Sequence, residues 1–318
     1  MDFVLGFDIG GTKSAVLLAR PGTGSVEFLD RYAISTGGSW QEVLDELSVH
    51  GKRMLKAHGA AGQSCSIGIS CGGPLDSRRG IVLSPPNLPG WDNVPVTDYL
   101  GKKLGMPARL KNDADACALA EFNYGAGRGC SHMIFLTFGT GLGAGLILGG
   151  RLYEGACGMA GEAGHIRLAP EGPVGYGKAG SFEGFCSGGG IARLARDLAE
   201  KALEEGRSVS YMGEGGPESI TARDVAAAAE EGDVDALGIF GLSGRYFGRG
   251  LSVLIDLLNP ERIVAGSIFS RAGYLMREEM EKELRREALP ASLAACTVLP
   301  SALGERIGDY GAVAAAME

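Results

Sequence analysis

The sequence lacks the features that mark membrane proteins, nucleic-acid-binding proteins and disulfide-stabilised domains. No apolar run reaches the ~20 residues that a membrane-spanning helix needs, and the first residues include no basic segment, so we expect neither a membrane span nor a signal peptide. There is no basic tract, and 30 Lys and Arg against 38 Asp and Glu leave a net charge of −8. A nucleic-acid partner is therefore not expected. The seven cysteines form no C-x-x-C pair, which indicates reduced thiols and a cytoplasmic protein.

Aromatic residues are few, at 7%, whereas glycine is abundant, with 53 among 318 residues. The glycines cluster in loops without a collagen-like period, which is typical of a globular protein with glycine-rich turns. The length is sufficient for two domains. Helical and strand-like patterns alternate along the chain, and this alternation predicts an α/β fold.

A glycine turn lies close to the start of the chain. Residues Asp8–Lys13 read Asp-Ile-Gly-Gly-Thr-Lys between two apolar, strand-like runs. The Gly-Gly centre permits a tight reversal and exposes backbone N–H groups, which suit phosphate oxygens. Thr12 and Lys13 add a hydroxyl and a positive charge, and the Asp8 carboxylate can hold a hydrated magnesium ion. The segment is either a nucleotide-phosphate clamp or an ordinary Gly-Gly hairpin.

A second strand–turn–strand segment follows much later in the chain. Its turn, Thr137–Gly143, again offers hydroxyls and backbone N–H groups. Two such turns can hold one polyphosphate from both sides, an arrangement that indicates the actin-like, or hexokinase-like, ATPase fold with two lobes around a cleft. We predict a small lobe of residues 1–115, joined by the C-terminal helix at 301–318, and a large lobe of residues 116–300.

Two other glycine motifs are similar to the dinucleotide-binding pattern but lack its context. Gly139–Ala144 follows a strand and continues into another strand, where that pattern requires a helix. Gly175–Gly180 follows Pro170–Pro173 and not a strand. No G-x-x-x-x-G-K-[S/T] sequence occurs. Rossmann and P-loop nucleotide sites are both excluded.

Nearly the whole chain resembles the ROK family of sugar kinases and sugar-responsive repressors. The resemblance rests, in chain order, on Asp8–Lys13, Asn87–Trp91, Asn112–Ala116, Thr137–Gly145, Glu162–His165 (the family's E-x-G-H) and Pro260–Gly266. It implies a sugar kinase that uses ATP and Mg²⁺, with Asp113 as the catalytic base and Asp8 holding the Mg²⁺ through water. The ATP-binding residues that it implies are Asp8, Gly10, Gly11, Thr12, Lys13, Gly139, Thr140, Gly141 and Gly266.

The residues around Asp113 by themselves allow two roles for its carboxylate. Asp113 stands between a short strand and a helical pattern, where a carboxylate can act as a general base or can simply cap the helix. Asp115 could in principle exchange roles with it. The resemblance places the base at Asp113.

Sugar recognition requires several convergent donors and acceptors, because each unpaired buried polar group is costly. The resemblance assigns this role to Asn87, Asn112, Glu162, His165 and Glu183. Trp91 has two interpretations, a stacking face for the sugar or packing in the core.

The chain departs from the family at the structural zinc site. Where zinc-containing members have C-x-C-G-x-x-G-C-x-E, this sequence has Val174, Tyr176 and Ser181 at the three cysteine positions. A structural zinc ion needs four ligands, commonly thiolates and imidazoles, and only His165 remains. We therefore expect no zinc and a loop held by packing and hydrogen bonds.

Three functions fit these residues. The first is an ATP-dependent kinase that phosphorylates a hexose hydroxyl at C6. The second is a kinase for an N-acylated aminosugar, or one that uses another donor such as polyphosphate. The third is a non-catalytic sugar sensor or repressor, with an inactive, degenerate kinase as a variant. Repressors of the family have an N-terminal helix-turn-helix, whereas here the phosphate hairpin begins at residue 3, so we expect a kinase. The oligomeric state is left open, a homodimer included.

Overall fold

A computed structural model describes the whole chain, residues 1–318, as an α/β protein. The fourteen strands are β1 (Phe3–Ile9), β2 (Lys13–Gly22), β3 (Ser25–Ser35), β4 (Cys65–Cys71), β5 (Leu75–Asp76), β6 (Ile81–Val82), β7 (Ala108–Asn112), β8 (Met133–Phe138), β9 (Leu142–Leu148), β10 (Arg151–Leu152), β11 (Val174–Gly175), β12 (Lys178–Ala179), β13 (Arg262–Ala265) and β14 (Thr297–Pro300).

Eleven α-helices accompany these strands. They are α1 (Trp40–Ala57), α2 (Val96–Leu104), α3 (Asp113–Tyr124), α4 (Phe182–Phe185), α5 (Gly188–Glu204), α6 (Ala222–Glu230), α7 (Val234–Leu258), α8 (Ile268–Ala272), α9 (Arg277–Glu287), α10 (Pro290–Ala295) and α11 (Ile307–Met317). Four single turns of 3₁₀ helix occur in addition, at Ala163–His165, Pro217–Ser219, Gly273–Leu275 and Gly304–Arg306.

The chain forms two compact units. The first contains Met1–Phe135, Gly145–Ala160 and Ala302–Glu318, and the second contains Leu136–Ala144 and Gly161–Ser301. The division therefore passes through β8 and β9. The lobe boundaries at residues 115 and 300 stay a prediction.

The sheet of the first unit has the strand order β3-β2-β1-β4-β7. Strand β2 is antiparallel to both of its neighbours, β1 and β3. Strands β1, β4 and β7 run parallel to one another. Ile9 pairs with Cys71, and Cys71 pairs with Asn112. The three parallel strands therefore end level with one another, and the carboxyl edge of a parallel sheet is where α/β proteins bind their ligands.

Both faces of this sheet are covered, which explains the continuous apolar runs in β1 and β2. One face packs against α1 through Val43, Leu44 and Leu47 and includes Trp91, which is only 2% exposed. Trp91 is thus a core residue, and of its two interpretations packing is the one observed. The other face packs against α11 through Val313 and Ala316.

The second unit is mainly helical around the sheet β10-β9-β8-β13-β14, part of which belongs to the first unit. The long helix α7 is largely buried, and α9 packs along it. Arg249 of α7 donates to the 3%-exposed carboxylate of Glu283 on α9, with 2.8 Å between Nη2 and Oε1. A buried charge is tolerated when it is paired in this way.

Several elements match their sequence-based predictions, and the α/β class is confirmed. Ser39 and Glu42 have the sequence spacing of a capping box and form one before α1, and Thr221 and Asp224 form another before α6. The helical pattern that follows the short strand at Asp113 in the sequence is α3. No helix combines the length and apolar character of a membrane span.

Candidate active site

In the first unit, three backbone segments meet at the carboxyl edge of the parallel strands. Gly10 follows β1, Gly72 follows β4, and Asp113 follows β7. The level ends of these strands place the predicted phosphate turn and the predicted base on one edge of the sheet. Gly72 was not among the predicted site residues, although a Gly-Gly pair after a buried strand is a recognisable signal for close backbone approach.

The first glycine turn is closed by a hydrogen bond from Gly10 N–H to the Lys13 carbonyl, at 3.1 Å. Thr36 braces it from the end of β3, because its hydroxyl donates to the Gly10 carbonyl at 2.6 Å. Gly11 is half-buried, and Thr12 and Lys13 are exposed. The hydroxyl and the ammonium group of the predicted clamp are therefore accessible to a ligand.

The predicted sugar residue Asn87 contacts this turn. A Cβ atom on Gly11 would lie 2.5 Å from the Asn87 carbonyl oxygen, so only glycine fits there without a shift. The side chain of Asn87 is exposed and approaches Gly72, where a Cβ atom would lie 3.8 Å from both Asn87 Nδ2 and Asp113 Oδ2. Asn87 and Asp113 are thus neighbours of the same backbone position.

Asn112, and not Asp113, occupies the cap position of α3. Its side-chain oxygen accepts from Ala114 N–H at 3.0 Å. Asp113 is the first residue of the helix, with Oδ1 2.8 Å from the same N–H and Oδ2 toward Gly72. The carboxylate is exposed at the N-terminus of the helix. Its role as base stays a prediction.

Asp8 lies among charged groups at the same edge. Burial, followed by the negative charges of Asp309 and Asp113, raises the pKa of Asp8 to about 6, while Arg31 acts in the opposite direction. Such a surplus of negative charge is relieved by a cation, and carboxylate oxygens are the ligands that Mg²⁺ prefers. The residues present therefore fit a hydrated Mg²⁺ at Asp8. No motif in the sequence points to Arg31 or Asp309.

In the second unit, the second glycine turn rests on the start of α5. Gly139 N–H donates to the Gly141 carbonyl at 3.1 Å, Gly188 N–H donates to the Gly139 carbonyl at 2.7 Å, and Gly189 N–H donates to the Thr140 carbonyl at 3.3 Å. Thr140 is exposed. The turn is therefore fixed by backbone bonds and has an accessible hydroxyl.

Gly266, the predicted adenosine-side residue, lies just after β13. Its N–H donates to the carbonyl of Leu136, two residues before the end of β8, at 3.0 Å. The next residue, Ser267, was not predicted, and its Oγ lies 3.7 Å from where a Cβ atom of Gly139 would be. The predicted nucleotide residues of this unit are thus brought together around Gly139.

Three of the predicted sugar residues lie together in the second unit. Burial and the charge of Glu183 raise the pKa of Glu162, while His165 lowers it. Glu183 Oε2 accepts from Leu142 N–H at 3.0 Å. Glu162 and His165 are exposed and Glu183 is half-buried. The group combines two carboxylates and an imidazole, which together offer acceptors and donors to polyhydroxyl ligands.

The segment that departs from the zinc pattern forms a small hairpin of β11 and β12. Val174 and Tyr176 are exposed, and the buried Ser181 hydroxyl accepts from Gly184 N–H at 3.1 Å as the cap of α4. A valine has no donor atom, and the serine is used in the fold, so these residues do not fit a zinc site. Lys178 Nζ instead donates to the His165 carbonyl at 2.7 Å.

The comparisons with known proteins agree with this geometry. The protein-family description "ROK family" matches residues 4–318. A glucokinase of Streptomyces coelicolor is 30% identical over 322 residues, which cover 100% of this chain and 98% of that protein. The structure of a ROK family glucokinase from Streptomyces griseus, in complex with glucose and AMPPNP, is 32% identical, with a TM-score of 0.77 and 99% of both chains covered.

Regulators are also among the similar proteins. A ROK family transcriptional regulator, a homolog of the Escherichia coli Mlc protein, is 27% identical with a TM-score of 0.83, covering 99% of this chain and 78% of the regulator. These structural likenesses confirm the predicted actin-like ATPase fold.

Proposed function

The chain belongs to the ROK family, and on that premise we propose that it is a cytoplasmic, ATP-dependent kinase that transfers the γ-phosphate of Mg-ATP to the C6 hydroxyl of a hexose. The observation that supports this most directly is the position of Asp113. Its carboxylate is exposed at the carboxyl edge of a parallel sheet, with the cap of α3 provided by its neighbour Asn112. A carboxylate in that position can accept the proton of an attacking hydroxyl.

The two glycine turns are the proposed phosphate-binding elements. In the first unit, the turn of Gly10, Gly11, Thr12 and Lys13 offers a hydroxyl, a positive charge and the backbone N–H groups of Gly11 and Thr12, while the Gly10 N–H closes the turn. In the second unit, the turn of Gly139, Thr140 and Gly141 offers a hydroxyl and the N–H groups of Thr140 and Gly141, with Gly266 on the adenosine side. Asp8 would hold Mg²⁺ through water, and the bound ion would neutralise charge on the phosphates. Phosphoryl transfer depends on such positioning and charge neutralisation more than on covalent chemistry.

The proposed sugar-contacting residues are Asn87, Asn112, Glu162, His165 and Glu183. Asn87 and Asp113 approach the same position, Gly72, so a hydroxyl bound by the Asn87 amide would lie near the base. The Glu162, His165 and Glu183 group offers paired acceptors, which a sugar with vicinal hydroxyls can satisfy. A hexose has that pattern of hydroxyls.

A coupled assay of ADP release tests this function. Mg-ATP is offered with glucose, mannose, fructose, allose, glucosamine, N-acetylglucosamine and N-acetylmannosamine, and polyphosphate replaces ATP in a parallel series. We expect turnover with a hexose and ATP. Turnover only with an N-acylated aminosugar, or only with polyphosphate, would contradict the proposed acceptor or donor.

The Asp113→Asn variant tests the mechanism. Loss of a general base typically reduces turnover by about 10²- to 10⁴-fold, so we expect kcat to fall by that much while calorimetry still detects sugar binding. Asp98→Asn, on the exposed face of α2, is the matched control and should leave kcat unchanged. Near-normal turnover in Asp113→Asn would overturn the assignment of the base.

A non-catalytic sugar sensor is a second candidate, because a ROK family regulator shares the fold with a TM-score of 0.83. Sugar binding without turnover on any donor would favour the sensor over the kinase.

A further inference from the structure

One charge pair of the first unit, with a buried carboxylate, is not used by the proposed mechanism. Arg31 of β3 donates from Nε to both carboxylate oxygens of Asp309 on α11, at 2.9 and 3.1 Å. The Asp309 side chain is only 6% exposed, whereas Arg31 is 48% exposed. A carboxylate is seldom buried to this extent without a function or a compensating partner.

This pair lies beside Asp8. A Cβ atom on Gly308, the residue before Asp309, would lie 2.5 Å from Asp8 Oδ2. The first turn of α11 is therefore in close contact with the Asp8 carboxylate. The electrostatic effects agree with this proximity, because Asp309 raises the pKa of Asp8 and Arg31 lowers it. Arg306 is a weaker neighbour, with Nε 3.7 Å from Asp309 Oδ2.

We propose that Asp309 is a positioning residue for the cation at Asp8, because both of its carboxylate oxygens accept from Arg31 Nε and keep that positive charge off the Asp8 carboxylate. This inference rests on the proposed function, in which Asp8 holds the Mg²⁺ of Mg-ATP. Without the Asp309 charge, Arg31 loses its hydrogen-bond partner, and its positive charge then opposes the binding of a cation at Asp8. Without the Arg31 charge, the site around Asp8 is more negative and should bind the cation more tightly.

The two single variants are therefore expected to act in opposite directions. Asp309→Asn should raise the Mg²⁺ concentration needed for half-maximal effect by roughly threefold to tenfold, and Arg31→Gln should lower it by a similar factor, since one unit charge at short range has effects of this size. A purely structural ion pair would destabilise the protein in both variants and would leave the Mg²⁺ requirement of both unchanged or shifted the same way.

Two readouts test the proposal. The first is the Mg²⁺ midpoint of the thermal shift in the presence of a non-hydrolysable ATP analogue, and the second is the Mg²⁺ midpoint of the kinase rate at fixed ATP. Arg20→Gln removes an exposed ion pair between β2 and β3, with Glu27, and should change neither midpoint. Asp309→Glu retains the negative charge, so its Mg²⁺ midpoint should be close to that of the wild type. This variant also keeps the proposal testable if Asp309→Asn does not fold.

The outcomes separate this inference from the proposed function. Unchanged midpoints, or shifts of the same sign in Asp309→Asn and Arg31→Gln, would overturn the positioning role even if the wild-type protein is an active kinase. Opposite shifts in the thermal assay would support it even if no sugar in the panel is phosphorylated. A wild-type protein that shows no Mg²⁺-dependent thermal shift with the analogue would overturn it outright.

Discussion

Glu183 accepts a hydrogen bond from the backbone N–H of Leu142, with 3.0 Å between Oε2 and N. Leu142 directly follows Gly141 in the second glycine turn, and a Cβ atom on Gly141 would lie 2.6 Å from the same carboxylate oxygen. One side chain of the proposed sugar-binding group therefore also fixes the turn that is proposed to bind phosphate. If the proposed roles are correct, this arrangement connects sugar recognition to phosphate recognition within a single unit.

Glu183→Ala should consequently weaken the binding of both substrates, because it removes a proposed sugar contact and leaves Leu142 N–H without its partner. We expect the KM for the sugar and the KM for ATP each to rise severalfold, and the free energy of unfolding to fall by about 1 kcal/mol, as for loss of one hydrogen bond. Glu183→Gln retains an acceptor oxygen for Leu142 N–H. Glu183→Gln should therefore keep the KM for ATP near wild type, and an equal rise of both KM values in Glu183→Gln would contradict the bridging role.

Asp8→Asn should change how stability depends on pH. Burial first, then the charges of Asp309 and Asp113, raise the pKa of Asp8 to about 6 from 3.8. The folded state therefore binds more protons than the unfolded state between these values, so the free energy of unfolding falls as pH rises from about 4 to about 6. Without Asp8 this fall should shrink, and the metal-free variant should be the more stable at neutral pH although inactive as a kinase.

Chemical denaturation in EDTA at a series of pH values measures this effect. The Asp98→Asn variant should keep the wild-type pH profile. Identical profiles for Asp8→Asn and wild type would show that Asp8 does not have the raised pKa.

Gly11→Ala should impair the first phosphate turn, since its Cβ would lie 2.5 Å from the backbone carbonyl oxygen of Asn87. Relief requires a shift of the turn or of the Asn87 loop, and displacements of about 1 Å near a reacting group cost up to about 10²-fold in rate. We expect kcat/KM to fall at least about tenfold. Gly37→Ala, in the loop after β3 with no atom within 4 Å of its Cβ, should be near wild type. Equal kinetics for the two variants would refute the close-packing argument.

The elements that could be predicted from the sequence are those whose signal is local. The capping boxes at Ser39 and Thr221 define helix starts by side-chain chemistry within four residues, and α7 has an apolar stripe over its whole length. Edge strand β3 was missed because it is exposed along much of its length and contributes few buried residues. Helix α9 was missed because it is charged nearly all round, which removes the apolar periodicity.

The same distinction applies to the site. Asp8 stands in a glycine turn and Asp113 between a strand and a helix, so both are candidates from their neighbours in sequence, whereas Asn112 is a candidate through the family resemblance. Arg31 and Asp309 come from an edge strand and from the last helix, and no motif joins them. Their position beside Asp8 depends on how α11 packs on the sheet, which only the tertiary structure shows.

The hairpin at Val174–Ala179 should hold the E-x-G-H segment without a metal ion. Lys178 Nζ donates to the His165 carbonyl at 2.7 Å, and Arg167 Nη1 donates to the Ala179 carbonyl at 2.6 Å. Lys178→Met should therefore loosen His165 and raise the KM for the sugar severalfold with little change in the KM for ATP. Lys201→Met, at an exposed position of α5, should change neither KM. A zinc chelator such as 1,10-phenanthroline, added with Mg²⁺ present, should leave the wild-type Tm and turnover unchanged. A Tm that falls with the chelator and recovers with added zinc would mean that the hairpin depends on a metal ion after all.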